Sequence, residues 1–226
     1  MKSSDKIIAL IPAYNEQEYI AEVILSTTKY LPVLVLDDGS TDDTAAIAAS
    51  TGARVISQSP NRGKGTALQR GLSVCYQEGY QAVLTLDGDG QHDPEEIPKF
   101  LESYRNKQAQ LIIGQRDYRQ MPLRRRIPNT LGKLLLSWAA GQSIPDNQSG
   151  YRLIDRSIIP ILLDHSEEGG FEFEVDMILL AIKHNLEMKW IPIKTIYRDE
   201  HSYIRPLRHL INYLRMTKKA YKMIHS

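Results

Sequence analysis

The sequence predicts an α/β fold, a mostly parallel sheet flanked by helices with an amphipathic helix appended at the C-terminal end. Short β-type runs alternate with helical patterns through the first half of the chain, which is the sequence form of parallel strands joined by crossover helices. The runs end in polar segments rich in Gly, Asp and Pro, as expected where loops at the carboxyl edge of an open sheet build a site. A chain of 226 residues, 42% apolar and 24% charged, is long enough for one sizeable core and close to the averages of globular domains.

The candidate strands are residues 6–11, 33–36, 54–57, 82–86 and 110–113. After the first, Ile20, Val23, Ile24 and Leu31 recur at helical spacing, Asn15 and Glu18 form a capping-box pattern, and Pro32 ends the helix. Residues 42–50 and 65–78 read as the next two helices. A further helix begins at Asp93, with Pro94 in its first position and Glu96 three residues after the cap. The polar strand ends are residues 12–16, 37–42, 60–65, 87–93 and 114–117, which places five loops on one edge. Beyond residue 117 the pattern loosens into a basic, Pro-containing loop (119–126), an apolar helix around 129–140, a turn at 144–150, a helix around 173–183 and a late strand over 188–197 that Pro192 can interrupt. No repeat or linker divides the chain, so residues 1–226 are expected to form a single domain, with a ligand-binding half up to about residue 117 and a second half from 118.

Bulk properties narrow the function. A formal charge of +1 argues against a general nucleic-acid binder. The single cysteine, Cys75, excludes an internal disulfide and a thiolate metal site, fits a reducing compartment, and reads as a small core residue. The apolar run at residues 7–11 is too short for a signal peptide. No stretch reaches the roughly 18 to 20 apolar residues of a membrane span, Lys133 and Ser137 interrupting even residues 131–140. The expected setting is cytoplasmic.

The strongest local signal is Leu86-Asp87-Gly88-Asp89-Gly90-Gln91-His92-Asp93-Pro94. Glycines allow close approach of a bulky ligand, and two carboxylates supply hard oxygen ligands for Mg²⁺ or Mn²⁺. Such a metal would bridge a diphosphate and neutralise charge on a departing nucleoside diphosphate. Asp93 is already explained as a helix cap, whereas Asp87 and Asp89 are not needed for it. An EF-hand is excluded by the missing terminal Glu. In Leu36-Asp37-Asp38-Gly39-Ser40-Thr41-Asp42, a carboxylate can accept from a nucleobase N–H or ribose hydroxyl, although alone the segment is equally an ordinary polar loop. In Ile11-Pro12-Ala13-Tyr14-Asn15-Glu16, Tyr14 can stack on a base or pack as a rim aromatic, and Glu16 can bind ribose. Asn61-Arg62-Gly63-Lys64-Gly65-Thr66 lacks the spacing of a phosphate-binding P-loop, and no G-x-G-x-x-G follows the first strand, so NTPase and dinucleotide-dehydrogenase readings fail.

In series, these segments together with Gly114-Gln115-Arg116 resemble glycosyltransferase family 2 over about residues 6–200, and in detail its dolichyl- and polyprenyl-phosphate mannosyl- and glucosyltransferases. The resemblance implies a GT-A fold, an inverting hexosyl transfer, a divalent cation (Mg²⁺ or Mn²⁺), a nucleotide-diphosphate sugar donor of GDP-mannose or UDP-glucose type, and a lipid-phosphate acceptor such as polyprenyl phosphate. It implies that Asp87, Asp89 and Gln91 hold the metal, Asp89 with a catalytic role, and that Pro12, Ala13, Tyr14, Glu16, Asp38, Lys64, Asp87, Gly88 and Arg116 bind the nucleotide sugar. Gln115 stands where relatives carry Ser, while the guanidinium that recognises phosphate is retained. Asp146, in Asp146-Asn147-Gln148-Ser149-Gly150-Tyr151-Arg152, matches an acceptor-side catalytic position; it can act as base, orient a partner, or form an Asx turn after Pro145.

Arg124, Arg125, Arg126 and Arg198 are the candidates for the acceptor phosphate. Ser202-Tyr203 departs from the Ser-Lys of many relatives. The last helix sets Leu207, Leu210, Ile211 and Leu214 on one face, edged by Arg208, Arg215, Lys218, Lys219 and Lys222. That pattern fits a core-packed helix with a solvated basic face, the preferred reading, or an interfacial helix on anionic lipid. Peripheral membrane contact or a membrane-spanning partner protein would then bring the enzyme to its lipid. Two other classes share these features: a sugar-phosphate nucleotidyltransferase, which would release pyrophosphate, and a non-catalytic nucleotide-sugar-binding protein, against which the intact Asp87, Asp89 and Asp146 argue.

Overall fold

The computed structural model describes residues 6–119, 121, 123–165, 173–196 and 206–225, with seven strands in one sheet. The strands are β1 (Ile7–Ala13), β2 (Val33–Asp37), β3 (Arg54–Ser57), β4 (Ala82–Thr85), β5 (Leu111–Arg116), β6 (Arg152–Asp155) and β7 (Met188–Ile193), in spatial order β3-β2-β1-β4-β6-β5-β7. Only β6 runs antiparallel to its neighbours, β4 and β5. The helices are α1 (Ile20–Thr27), α2 (Thr44–Ser50), α3 (Lys64–Gln77), α4 (Ile97–Arg105), α5 (Leu123–Ala140), α6 (Ile159–His165), α7 (Phe173–Lys183) and α8 (Pro206–His225).

The period-2 geometry of the strands splits the core in two. Ile8 and Leu10 of β1, Leu34 and Leu36 of β2, and Leu111 and Ile113 of β5 face a layer containing residues of α3, α5, α6, α7 and α8. Their neighbours Ile7, Ala9, Ile11, Val33, Val35 and Ile112 face α1 and α4 on the other side. Strands buried on both faces explain why the runs read as continuous apolar stretches. Cys75 is buried in the first layer, as a core reading requires.

Several boundaries differ from expectation for identifiable reasons. No capping box opens α1: Asn15 adopts a left-handed φ of 56°, its side chain accepts from Thr41 N–H at 2.8 Å, and the helix starts only at Ile20. Loop-to-loop bonding has displaced the local cap. The basic segment 119–126 is not all loop, because α5 begins at Leu123 and continues through Pro128. Pro192 does not break β7, which pairs with β5 and lies at the sheet edge, where a missing N–H is tolerated. The short antiparallel β6 was not apparent in the sequence. By contrast, Asp93 caps the turn at Pro94–Glu96 as expected, accepting from Glu95 N–H at 3.0 Å.

One close approach sets the height of α3 over the sheet. A Cβ at Gly71 would collide with the buried Leu10 side chain, lying 2.6 Å from its Cδ2. Gly71→Val is expected to destabilise the fold by about 1–3 kcal/mol, the usual cost of overpacking. Urea denaturation of the variant against wild type measures it.

Candidate active site

All five polar loops lie at the carboxyl ends of their strands, and hydrogen bonds tie the first three together. Asp38 N–H donates to the Ala13 carbonyl at 2.8 Å, joining the ends of β1 and β2. Glu16 N–H donates to Thr44 Oγ1 at 2.8 Å, and Asn15 N–H to Ser40 Oγ at 3.0 Å. The buried Asp38 carboxylate accepts from Arg62 N–H at 2.9 Å, bringing in the loop after β3. Glu16 Cγ and Ala13 Cβ lie 3.5 and 3.6 Å from where a Cβ on Gly88 would sit, which sets the Asp87-Gly88-Asp89 turn beside the β1 loop. Pro12 and Ala13 are buried at the end of β1, while Tyr14 is 44% exposed at the rim, a position open to a flat ligand.

Lys64, the first residue of α3, reaches across to Asp87 Oδ1 at 2.6 Å and to Glu174 Oε1 at 2.9 Å. Burial would raise the Asp87 carboxyl, but Lys64 outweighs it and holds the pKa down at about 2. The same two carboxylates overcome burial at Lys64 and keep its ammonium charged. His92 is buried beside Asp87 and its Nδ1 accepts Asp87 N–H at 3.0 Å. Burial depresses its pKa to about 4, so it is a neutral strut for the turn. Asp89 Oδ1 accepts from Gln91 N–H at 2.9 Å, which folds Gln91 back toward the carboxylate pair.

Asp146 is fully buried and forms a two-point pair with Arg116 at the end of β5: Nε to Oδ2 at 2.8 Å and Nη2 to Oδ1 at 2.9 Å. It also accepts from Gln148 N–H at 3.0 Å and Ser149 N–H at 3.2 Å, so the Asx turn and the ion pair coexist in one side chain. Burial opposes ionisation, yet Arg116 and these donors hold the carboxyl below the ordinary carboxylate range. A carboxylate so held is a poor proton acceptor and a good anchor for a guanidinium.

Asp87 and Asp89 fit a cation bound partly by substrate. Among the described residues no three His, Cys, Asp or Glu side chains cluster as a metal cage. Mg²⁺ commonly takes only one or two carboxylates and leaves its other positions to water and phosphate oxygens. Arg126 is exposed on α5, while the side chains of Arg124 and Arg125, and Arg198 entirely, lie outside the described residues. A cavity of about 440 Å³ beside Arg116 is also lined by Tyr118, Arg119 and Lys133.

Some residues of this site carried no readable signal in the sequence. Glu174 lies on α7, a helix buried on every side over residues 173–181, and meets Lys64 only through the fold. Gly150 matters because a Cβ there would lie 2.8 Å from Asp87 Oδ1 and 3.0 Å from Lys64 Nζ. Arg152, fully buried below it, donates from Nε to the Ser149 carbonyl at 2.8 Å and from Nη1 to the Glu174 carbonyl. Long-range pairing of this kind leaves no local spacing to find.

The pattern of Glycosyl transferase family 2 matches residues 8–162. The chain belongs to glycosyltransferase family 2. Its relatives include a UDP-N-acetylglucosamine–dolichyl-phosphate N-acetylglucosaminyltransferase of Methanococcus voltae, 29% identical over 87% of this chain and 88% of that one. A polyprenol monophosphomannose synthase of Mycolicibacterium smegmatis is 27% identical over 88% and 80% of the two chains. Among solved structures, glucosyl-3-phosphoglycerate synthase from Mycobacterium tuberculosis, in complex with Mn²⁺, UDP and phosphoglyceric acid, superposes with a TM-score of 0.74 at 23% identity, covering 99% of this chain and 78% of that one. The sheet described above is thus the GT-A-like fold of a family 2 glycosyltransferase.

Asp146→Asn is expected to cost about 3–5 kcal/mol by leaving Arg116 without its counter-charge. Because the folded pKa of Asp146 is depressed, the wild type loses this stabilisation as pH falls below about 4, the unfolded carboxyl value, toward the folded one. The variant should lack that part of the acid limb in a series of urea melts across pH.

Proposed function

We propose that this glycosyltransferase moves a hexose, with inversion, from a nucleotide-diphosphate sugar to a polyprenyl phosphate. The observation that carries the reading is the convergence of Asp87 and Asp89 on the same edge as Asp38, Tyr14 and the Arg116–Asp146 pair. The relatives named for dolichyl and polyprenol phosphates support the acceptor class.

In this reading the nucleoside lies against Tyr14, Pro12 and Ala13, with Glu16 and Asp38 toward the base and ribose. Asp87, Asp89 and Gln91 would hold a divalent cation, which when bound supplies charge neutralisation for the departing diphosphate. An acceptor phosphate oxygen attacks the anomeric carbon, and the bond from that carbon to the diphosphate oxygen breaks on the opposite face. The electron pair leaves with the nucleoside diphosphate. A phosphate acceptor is already ionised near neutral pH, so no strong base is required. Asp146 accordingly orients Arg116 toward the donor phosphates, and Arg119 and Lys133 in the adjoining cavity offer further cations to the acceptor phosphate.

Asp89→Asn should lower transfer by about 100-fold or more, as loss of electrostatic stabilisation in an active site does, with an unchanged thermal melt. The assay follows radiolabelled sugar from nucleotide sugar into butanol-extractable polyprenyl phosphate with Mn²⁺ or Mg²⁺. Release of pyrophosphate in place of nucleoside diphosphate would reassign the chain to nucleotidyl transfer. No metal-dependent thermal shift with any nucleoside diphosphate would remove the proposed donor site.

A further inference from the structure

The loop after β3 places a buried amide directly against the carboxylate of Asp38. Gln58 is 8% exposed, and its Nε2 donates to Asp38 Oδ1 at 2.5 Å. On its other side Arg70 Nη1 approaches Gln58 Oε1 at 3.5 Å. A guanidinium only donates and a carboxylate only accepts, so these two neighbours fix which end of the amide faces Asp38. The backbone holds the clamp in place. Gln58 N–H donates to the Asp37 carbonyl at 2.9 Å, and at Gly39, whose φ is +74°, a Cβ would lie 2.9 Å from the Gln58 carbonyl oxygen.

Asp38 Oδ1 accepts a second bond, from Arg62 N–H at 2.9 Å. A carboxylate oxygen offers about two lone-pair sites, so Oδ1 is filled by the enzyme's own donors. Among the described residues no hydrogen bond reaches Oδ2, and that oxygen is not sealed from solvent. Asp38 therefore presents a single accepting oxygen to a ligand. It does so beside the rim aromatic, because Asp38 N–H is bonded to the carbonyl of Ala13, the residue before the exposed Tyr14.

We propose that Gln58 selects the base of the nucleotide donor, and that the base it admits is uracil rather than guanine. The inference rests on the reading of Asp38 as part of the nucleoside pocket. Guanine carries adjacent N1–H and N2–H donors, whose best match is a carboxylate with both oxygens open. With Oδ1 filled, one of those donors meets an oxygen that has no site left for it, and a buried donor without a partner is costly. Uracil carries a single N3–H on the corresponding edge, which Oδ2 alone satisfies. Cytosine and adenine have a ring-nitrogen lone pair there in place of N–H, and an accept-only carboxylate repels it.

The test is calorimetric titration of the full chain, with Mn²⁺ present, against UDP, GDP, CDP, ADP and N3-methyl-UDP. UDP is expected to bind about tenfold or more tighter than the other natural diphosphates, the scale of one unsatisfied donor. N3-methyl-UDP should lose about as much, since the methyl group removes the hydrogen that Oδ2 accepts. Gln58→Met, similar in length but without a donor, reopens a site on Oδ1, so the preference for UDP over GDP should fall by about tenfold through a gain for GDP. A side chain that merely supported the loop would weaken all the diphosphates alike and leave that preference unchanged, which would overturn the proposal. Another base binding as tightly as uracil, or N3-methyl-UDP binding undiminished, would overturn it as well. Those outcomes leave the donor site in place, whereas failure of every nucleoside diphosphate to bind would remove the site and this inference with it. If Gln58→Met melts early, the N3-methyl-UDP comparison in the wild type decides alone.

Discussion

A charge buried at a protein's edge needs a counter-charge, and here one lysine supplies it for two carboxylates at once. Lys64 joins Asp87 at the end of β4 to Glu174 on α7, and it is itself the first residue of α3. Removing Lys64 would leave two carboxylates, one of them the buried Glu174, without their shared counter-charge, so three distant segments are held to one geometry. Gly150 belongs to the same constraint, since the 146–150 turn can press against the pair only without a Cβ. The loop geometry of the enzyme follows from satisfying those charges as much as from the sheet.

The Arg116–Asp146 pair repeats the logic at the end of β5. Asp146 is deep enough to be shut off from water, yet both its oxygens are used, by a guanidinium and by two backbone N–H groups of its own turn. The pairing fixes the guanidinium of Arg116 in one orientation beside the sheet edge, so its direction is set before any ligand arrives.

Much of this was legible in the sequence, and the limits were physical. Repeating strand and helix patterns marked β1 to β5 because apolar periodicity is local. Asp87 and Asp89 stood out because glycine spacing and a following cap left them unexplained by structure alone. β6 was hidden because it is four residues long and begins with a charged Arg152, whose burial depends on carbonyls of Ser149 and Glu174. Glu174 was hidden for the same reason, its partner being 110 positions away in the chain at Lys64. The Asn15 cap failed because Thr41 in a neighbouring loop competed for its side chain.

The two border strands of the sheet are β3 and β7. β3 is only four residues long and opens with the exposed Arg54, held by Glu78 at 2.6 Å, while β7 carries Pro192 where an amide hydrogen would otherwise point outward. Both borders are thereby poor templates for another chain's backbone. The sheet thus closes each of its borders by a different local device, a short charged strand on one side and a missing amide hydrogen on the other.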